Sequence, residues 1–145
     1  MPNLKFSHLF VVVPDQDAAL DFYTNTLGLQ LRADVDLGEM RWLTVGSPEQ
    51  PDLELVLIDA DVRPDIAEDI KDLLARGGMN GAILTTTDVR ADYERLGAAG
   101  VEFTGEPEEH FYGIDVGFRD PFGNQFRLTQ PAENPVFPEG AIVNS

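Results

Sequence analysis

Cysteine is absent from this chain, and with it go a disulfide framework, a thiolate metal site and a thiol nucleophile. Basic residues are scarce: 10 Lys and Arg stand against 26 Asp and Glu, for a net charge of −16. A surface of that sign repels phosphate backbones and anionic lipid, and the few cations form no cluster, which argues against nucleic acid and membrane as partners. No apolar run approaches the roughly 18 residues of a membrane span, and the opening Met-Pro-Asn-Leu-Lys-Phe lacks the pattern of a secretory signal. The chain therefore reads as soluble and cytoplasmic. Missing too are a G-x-S-x-G elbow, a phosphate-cradling P-loop, a G-x-G-x-x-G fingerprint and an H-E-x-x-H helix, so no common catalytic signature names a reaction.

What is present suits one domain: 145 residues, 43% of them apolar, enough for a sizeable core. Phe6 to Val13 reads as a largely buried strand stopped by Pro14. Asp15 and Asp17 are candidate caps for a helix whose apolar residues run to Leu27 before Gly28 ends it. Strands follow at Leu29 to Val35, Met40 to Val45 and Leu53 to Ile58, giving a βαβββ module over about residues 4–60. Residues 61–78 read as a connecting helix with an Ile66, Ile70, Leu73, Leu74 stripe. A second βαβββ set then spans about 79–130: strand Ala82 to Thr87, helix Ala91 to Gly100, and strands Val101 to Thr104, Tyr112 to Phe118 and Gln125 to Thr129. The tail, 131–145, is expected to be extended.

The last strand of the second module is set up by Asp120-Pro-Phe-Gly-Asn124, where Pro121 and Gly123-Asn124 demand a turn. The two halves superimpose as an internal repeat: Thr26 to Leu31 answers Ala98 to Phe103, and aligning the outer strands pairs His8 with Gly81 and Glu54 with Arg127.

Two such modules, the D-P-x-G-N turn and the F-Y-x-x-x-L-G-L junction at Phe22 to Leu29 resemble the vicinal oxygen chelate superfamily, which includes glyoxalase I, extradiol dioxygenases and bleomycin-binding proteins. The resemblance implies an α+β fold in which the modules form a cup-shaped mixed sheet with helices outside and the ligand inside. It also implies a homodimer, built by pairing edge strands or by swapping modules. In metal-dependent members four positions supply the ligands, and here these fall on His8, Glu54, Gly81 and Arg127. Glycine has no side chain and a guanidinium does not ligate. The expectation is thus no metal cofactor, the alternative being a divalent ion completed by His110 or Asp115.

The candidate site residues are His8, Trp42, Tyr112 and Arg127 for ligand binding and Glu54 for catalysis. Each has a plainer reading. His8, Trp42 and Tyr112 are residues that pack in strands, and Glu54 is expected to pair across the cup with Arg127 unless Arg127 meets a ligand anion. Arg41 and Arg119 read as surface charges, and Glu106, Glu108, Glu109 and His110 as a solvated loop. The leading function is binding of a small molecule. A lyase, isomerase or dioxygenase using Glu54 and His8 is the second reading, and a partner-binding module the third.

Overall fold

The computed structural model describes residues 3–142. Strand β1 (His8–Val13) stops at Pro14, and the Asp15 carboxylate then caps α1 (Gln16–Asp21) by accepting the Ala18 amide at 3.0 Å. The helix continues as a π turn, Phe22–Thr26, and ends at Gly28, whose φ of 84° suits glycine. Strands β2 (Gln30–Asp36), β3 (Arg41–Gly46) and β4 (Glu54–Asp59) complete the module. After α2 (Ala67–Ala75) the plan repeats as β5 (Asn80–Thr85), α3 (Val89–Ala98), β6 (Glu102–Phe103), β7 (Glu108–His110), β8 (Gly113–Arg119) and β9 (Gln125–Pro131).

The first sheet has the order β1-β4-β3-β2 and the second β5-β9-β8-β6, with β7 also on β8. β1 runs parallel to β4, and β5 parallel to β9; the other pairs are antiparallel. One apolar core joins both halves. Val11, Val13, Ala19, Tyr23, Leu43, Val45 and Leu57 pack in the same cluster as Val89, Leu96, Val116, Phe118, Phe126 and Leu128. Burying each Val, Leu or Phe side chain among these is worth about 1.5–3 kcal/mol. The helices therefore lie on the apolar sides of the sheets, and the opposite faces stay open.

Three expectations need correction. The start of β1 is not buried: His8 and Phe10 on the open face, and Leu9 on the other, are all exposed where β1 forms a sheet edge. The connecting helix is shorter than 61–78, since a 3-10 turn, Ala60–Val62, and the segment around Pro64 precede it. Glu108 to His110 is not a solvated loop but a strand. Gly105 and Pro107 break the module's second strand into β6 and β7, which pair with opposite ends of β8.

The halves are fastened at the Asp120 turn. Asp120 Oδ1 accepts the amides of Phe122, Gly123 and Asn124 at 3.0, 3.0 and 2.8 Å. Its Oδ2 accepts the Tyr23 hydroxyl at 2.7 Å and the Asn124 side-chain amide at 2.7 Å. That amide also donates to the Val12 carbonyl at 2.9 Å. Burial, and then the Asp120 charge, push the Tyr23 phenol far above its ordinary pKa, so it serves as a permanent donor. Gly123, at φ 111°, sits where a Cβ would strike the Leu74 carbonyl of α2.

Tyr23→Phe is expected to cost about 1–2 kcal/mol, because Asp120 keeps its other donors. Asp120→Ala removes the shared acceptor of five donors, of which the Gly123 amide keeps the Asp120 carbonyl, and is expected to cost more than about 3 kcal/mol. Urea unfolding of the two variants checks the order; equal losses would contradict it.

Candidate functional site

On the first sheet the register sets His8 beside Glu54, Phe10 beside Val56 and Thr44 beside Val56. Period-two alternation puts His8, Phe10, Trp42, Thr44 and Glu54 on the open face, while Val11, Leu43, Val45 and Leu57 turn to the core. Glu54 Oε1 accepts the buried Thr44 hydroxyl at 2.6 Å, and its Oε2 lies 3.8 Å from His8 Nε2. His8 Nδ1 lies 2.9 Å from Ser7 Oγ. The Trp42 ring stands 5.7 Å from the His8 ring, centroid to centroid, tilted by 56°. The open face thus carries an acid, an imidazole and an indole in contact.

On the second sheet Arg127 is registered against Ile83 on β5 and Gly117 on β8. Arg127 Nε and Nη2 donate to Asp115 Oδ2 and Oδ1 at 2.7 and 2.9 Å. Asp115 is 3% exposed, and the Arg127 side chain 51%. The two hydrogen bonds from Arg127 hold the Asp115 carboxyl below the usual carboxylate range, helped by His110 and Tyr112 and opposed by burial. His110 Nε2 lies 3.5 Å from Asp115 Oδ1, and its ring stacks on Tyr112 with centroids 5.0 Å apart and an interplanar angle of 5°. Burial, followed by the nearby Asp115 charge, raises the Tyr112 phenol. Gly117 leaves room for this arrangement: a Cβ there would meet Thr104 Oγ1 and come within 3.1 Å of Arg127 Nη1.

The two groups do not meet within one chain. His8, Trp42 and Glu54 lie on one open face, and Tyr112 and Arg127 on or beside the other, each on the side of its sheet turned away from the shared core. The expected Glu54–Arg127 pair is therefore not formed in the chain: Glu54 is held by Thr44 and Arg127 by Asp115. Asp115 and His110 were the residues that sequence reasoning undervalued. The available signal was period-two spacing, which sets Asp115 on the same face of β8 as Gly117. A cleft of about 970 Å³ runs along the module seam, bounded by Ser47 and Gln50 on one side and Thr85, Asp92 and Arg95 on the other, and includes none of the candidate site residues.

The donor set does not fit a divalent metal. Arg127 is a cation already paired, and Gly81 admits no side chain because a Cβ there would overlap the Phe126 ring. Among the described residues no group of three or more His, Cys, Asp or Glu is placed to hold an ion. His110 and Asp115 do not complete the set, Asp115 being engaged by Arg127.

Residues 5–128 match the glyoxalase/bleomycin resistance protein/dioxygenase superfamily, and the chain belongs to it. Among solved structures it is similar to UcmS2, at 39% identity with a TM-score of 0.84, covering 88% of this chain and 98% of that one. It is similar also to TnmS3, an antibiotic binding protein from Streptomyces sp. CB03234, at 36% identity and a TM-score of 0.74 over 91% of this chain and 99% of that one. An uncharacterized Bacillus subtilis protein, YurT, is 33% identical over 83% of this chain and 94% of its own length. Among the described residues no helix is long and apolar enough to cross a membrane.

The depressed Asp115 carboxyl fixes the sign of a pH effect. Its contribution is complete above the unfolded carboxyl value of about 3.9 and is lost as pH falls through the lower folded value. Asp34, lowered by its hydrogen bonds to Arg41, acts in the same window. Stability is thus expected to drop as pH falls below about 4, and Asp115→Asn to flatten that drop. Thermal melts across the range check it; an unchanged slope in the variant would contradict the assignment.

Proposed function

We propose that this protein binds a small organic molecule in a cup lined by His8, Trp42, Tyr112 and Arg127, and holds it without a metal. The observation that carries this reading is the chemistry at two of the four positions where metal-dependent relatives place ligands: Gly81 has no room for a donor, and Arg127 is paired with Asp115. The antibiotic binding protein at 36% identity supports sequestration as the outcome of binding. The lack of cysteine fits a cytoplasmic setting.

The cup is assembled by two copies of the chain. β1 and β5 each end a sheet with one side unpaired, and Phe10 at 61% and Ile83 at 67% exposure leave apolar surface beside those edges. Edge strands and apolar patches of this kind are covered in native assemblies. Joining the β1 edge of one copy to the β5 edge of its partner brings one Glu54 face toward one Arg127 face.

A second reading is favoured by one contact set. Glu54, held by Thr44 and beside His8, is arranged to move a proton on a bound substrate. It shares the binding site and differs only in turnover.

Protein purified without chelators or an affinity tag is expected to carry no stoichiometric divalent metal. The emission of Trp42, the chain's single tryptophan, is expected to change saturably with members of a small-molecule library that are recovered unaltered. Stoichiometric metal with chelation-sensitive turnover would overturn the proposal. Turnover lost on Glu54→Gln in metal-free protein would establish the second reading instead.

A further inference from the structure

Arg127 commits only one edge of its guanidinium to Asp115. Nε and Nη2 donate along that edge, and among the described residues Nη1 has no hydrogen-bond partner. The outer edge, made by Nη1 and the second hydrogen of Nη2, remains a two-pronged donor. The burial of the pair is lopsided: the carboxylate is nearly sealed, whereas the guanidinium is half exposed on the open face. A buried anion that orients a cation, with the cation's second fork unpaired and its Nη1 lying over Gly117, suits bidentate recognition of a carboxylate.

The head group reaches from β9 toward β8, over Gly117 and onto Asp115, and away from the β5 edge. We infer that the outer edge of Arg127 binds the carboxylate of a small organic acid, with Asp115 as the residue that positions the fork. This inference rests on the small-molecule reading above and names the class of ligand.

A carboxylate at that fork has two sources, the ligand or Glu54 of a second copy. Glu54 is already engaged by the Thr44 hydroxyl at 2.6 Å and faces His8 at 3.8 Å, which favours the ligand. The net charge of −16 does not forbid it, because salt screens distant charges over about 8 Å at physiological ionic strength while direct contact persists.

The test is calorimetric titration of the full chain with naphthoate and with the isosteric neutral naphthamide. Naphthoate is expected to bind about tenfold or more tightly, the worth of charge-assisted hydrogen bonds. Arg127→Gln removes that preference, naphthoate affinity falling much further than naphthamide affinity. Asp115→Asn narrows the preference, again weakening naphthoate more than naphthamide, a selective effect that general loss of structure would not produce. Arg127→Lys, which keeps the charge and loses the fork, gives an intermediate value and serves if the glutamine variant does not fold. Equal affinities, or a preference that survives Arg127→Gln, overturn the carboxylate assignment and leave small-molecule binding standing. Binding of neither probe overturns the carboxylate assignment, and the small-molecule reading then falls only if the Trp42 emission screen is also blank. Dimer dissociation caused equally by Arg127→Gln and Glu54→Gln, with no further effect in the double variant, overturns the inference in favour of an ion pair between copies.

Discussion

The Asp120 carboxylate is the contact on which the relation between the two halves depends. Three amides of its own turn, the Asn124 side chain and the Tyr23 phenol converge on it. The phenol comes from the first module, and Asn124 reaches on to the β1 backbone. Gly123 lets the same turn close on α2. A buried carboxylate without such donors would cost several kcal/mol; with them it becomes a directional tie that apolar packing alone could not supply.

That tie decides which faces meet. The apolar sides of both sheets and their helices are drawn into one core, so the polar sides are left outward. Two differently equipped surfaces result. The first presents Glu54, His8 and Trp42; the second presents a cation held by a sealed anion. In the proposed assembly these two surfaces face each other across a joint between the β1 edge of one copy and the β5 edge of its partner.

Much of this was legible in the residues. The Asp-Pro-Phe-Gly-Asn run could only be a turn, and the matching helix-to-strand junctions at Gly28 and Gly100 disclosed the repeat. The mismatch at Gly81 and Arg127 was visible before any coordinates. Other features needed three dimensions. β7 was hidden because Gly105 and Pro107 erase the strand pattern ahead of an acidic run. The exposure at the start of β1 could not be read from its apolar composition, since edge position rather than residue type decides it. Within one chain Arg127 pairs with Asp115 and not with the symmetry-related Glu54, because the β8–β9 register puts Asp115 on the same face of the neighbouring strand.

The claim that most needs direct measurement is the cup shared by two copies. Because the chain has no cysteine, chains carrying Phe10→Cys and chains carrying Ile83→Cys can each be made with a single thiol. Mixed, refolded together and treated with a short bismaleimide, they are expected to give a covalent dimer joining one chain of each kind, while neither variant alone does so. No cross-link in the mixture, or efficient linkage within one chain carrying both substitutions, would contradict the account.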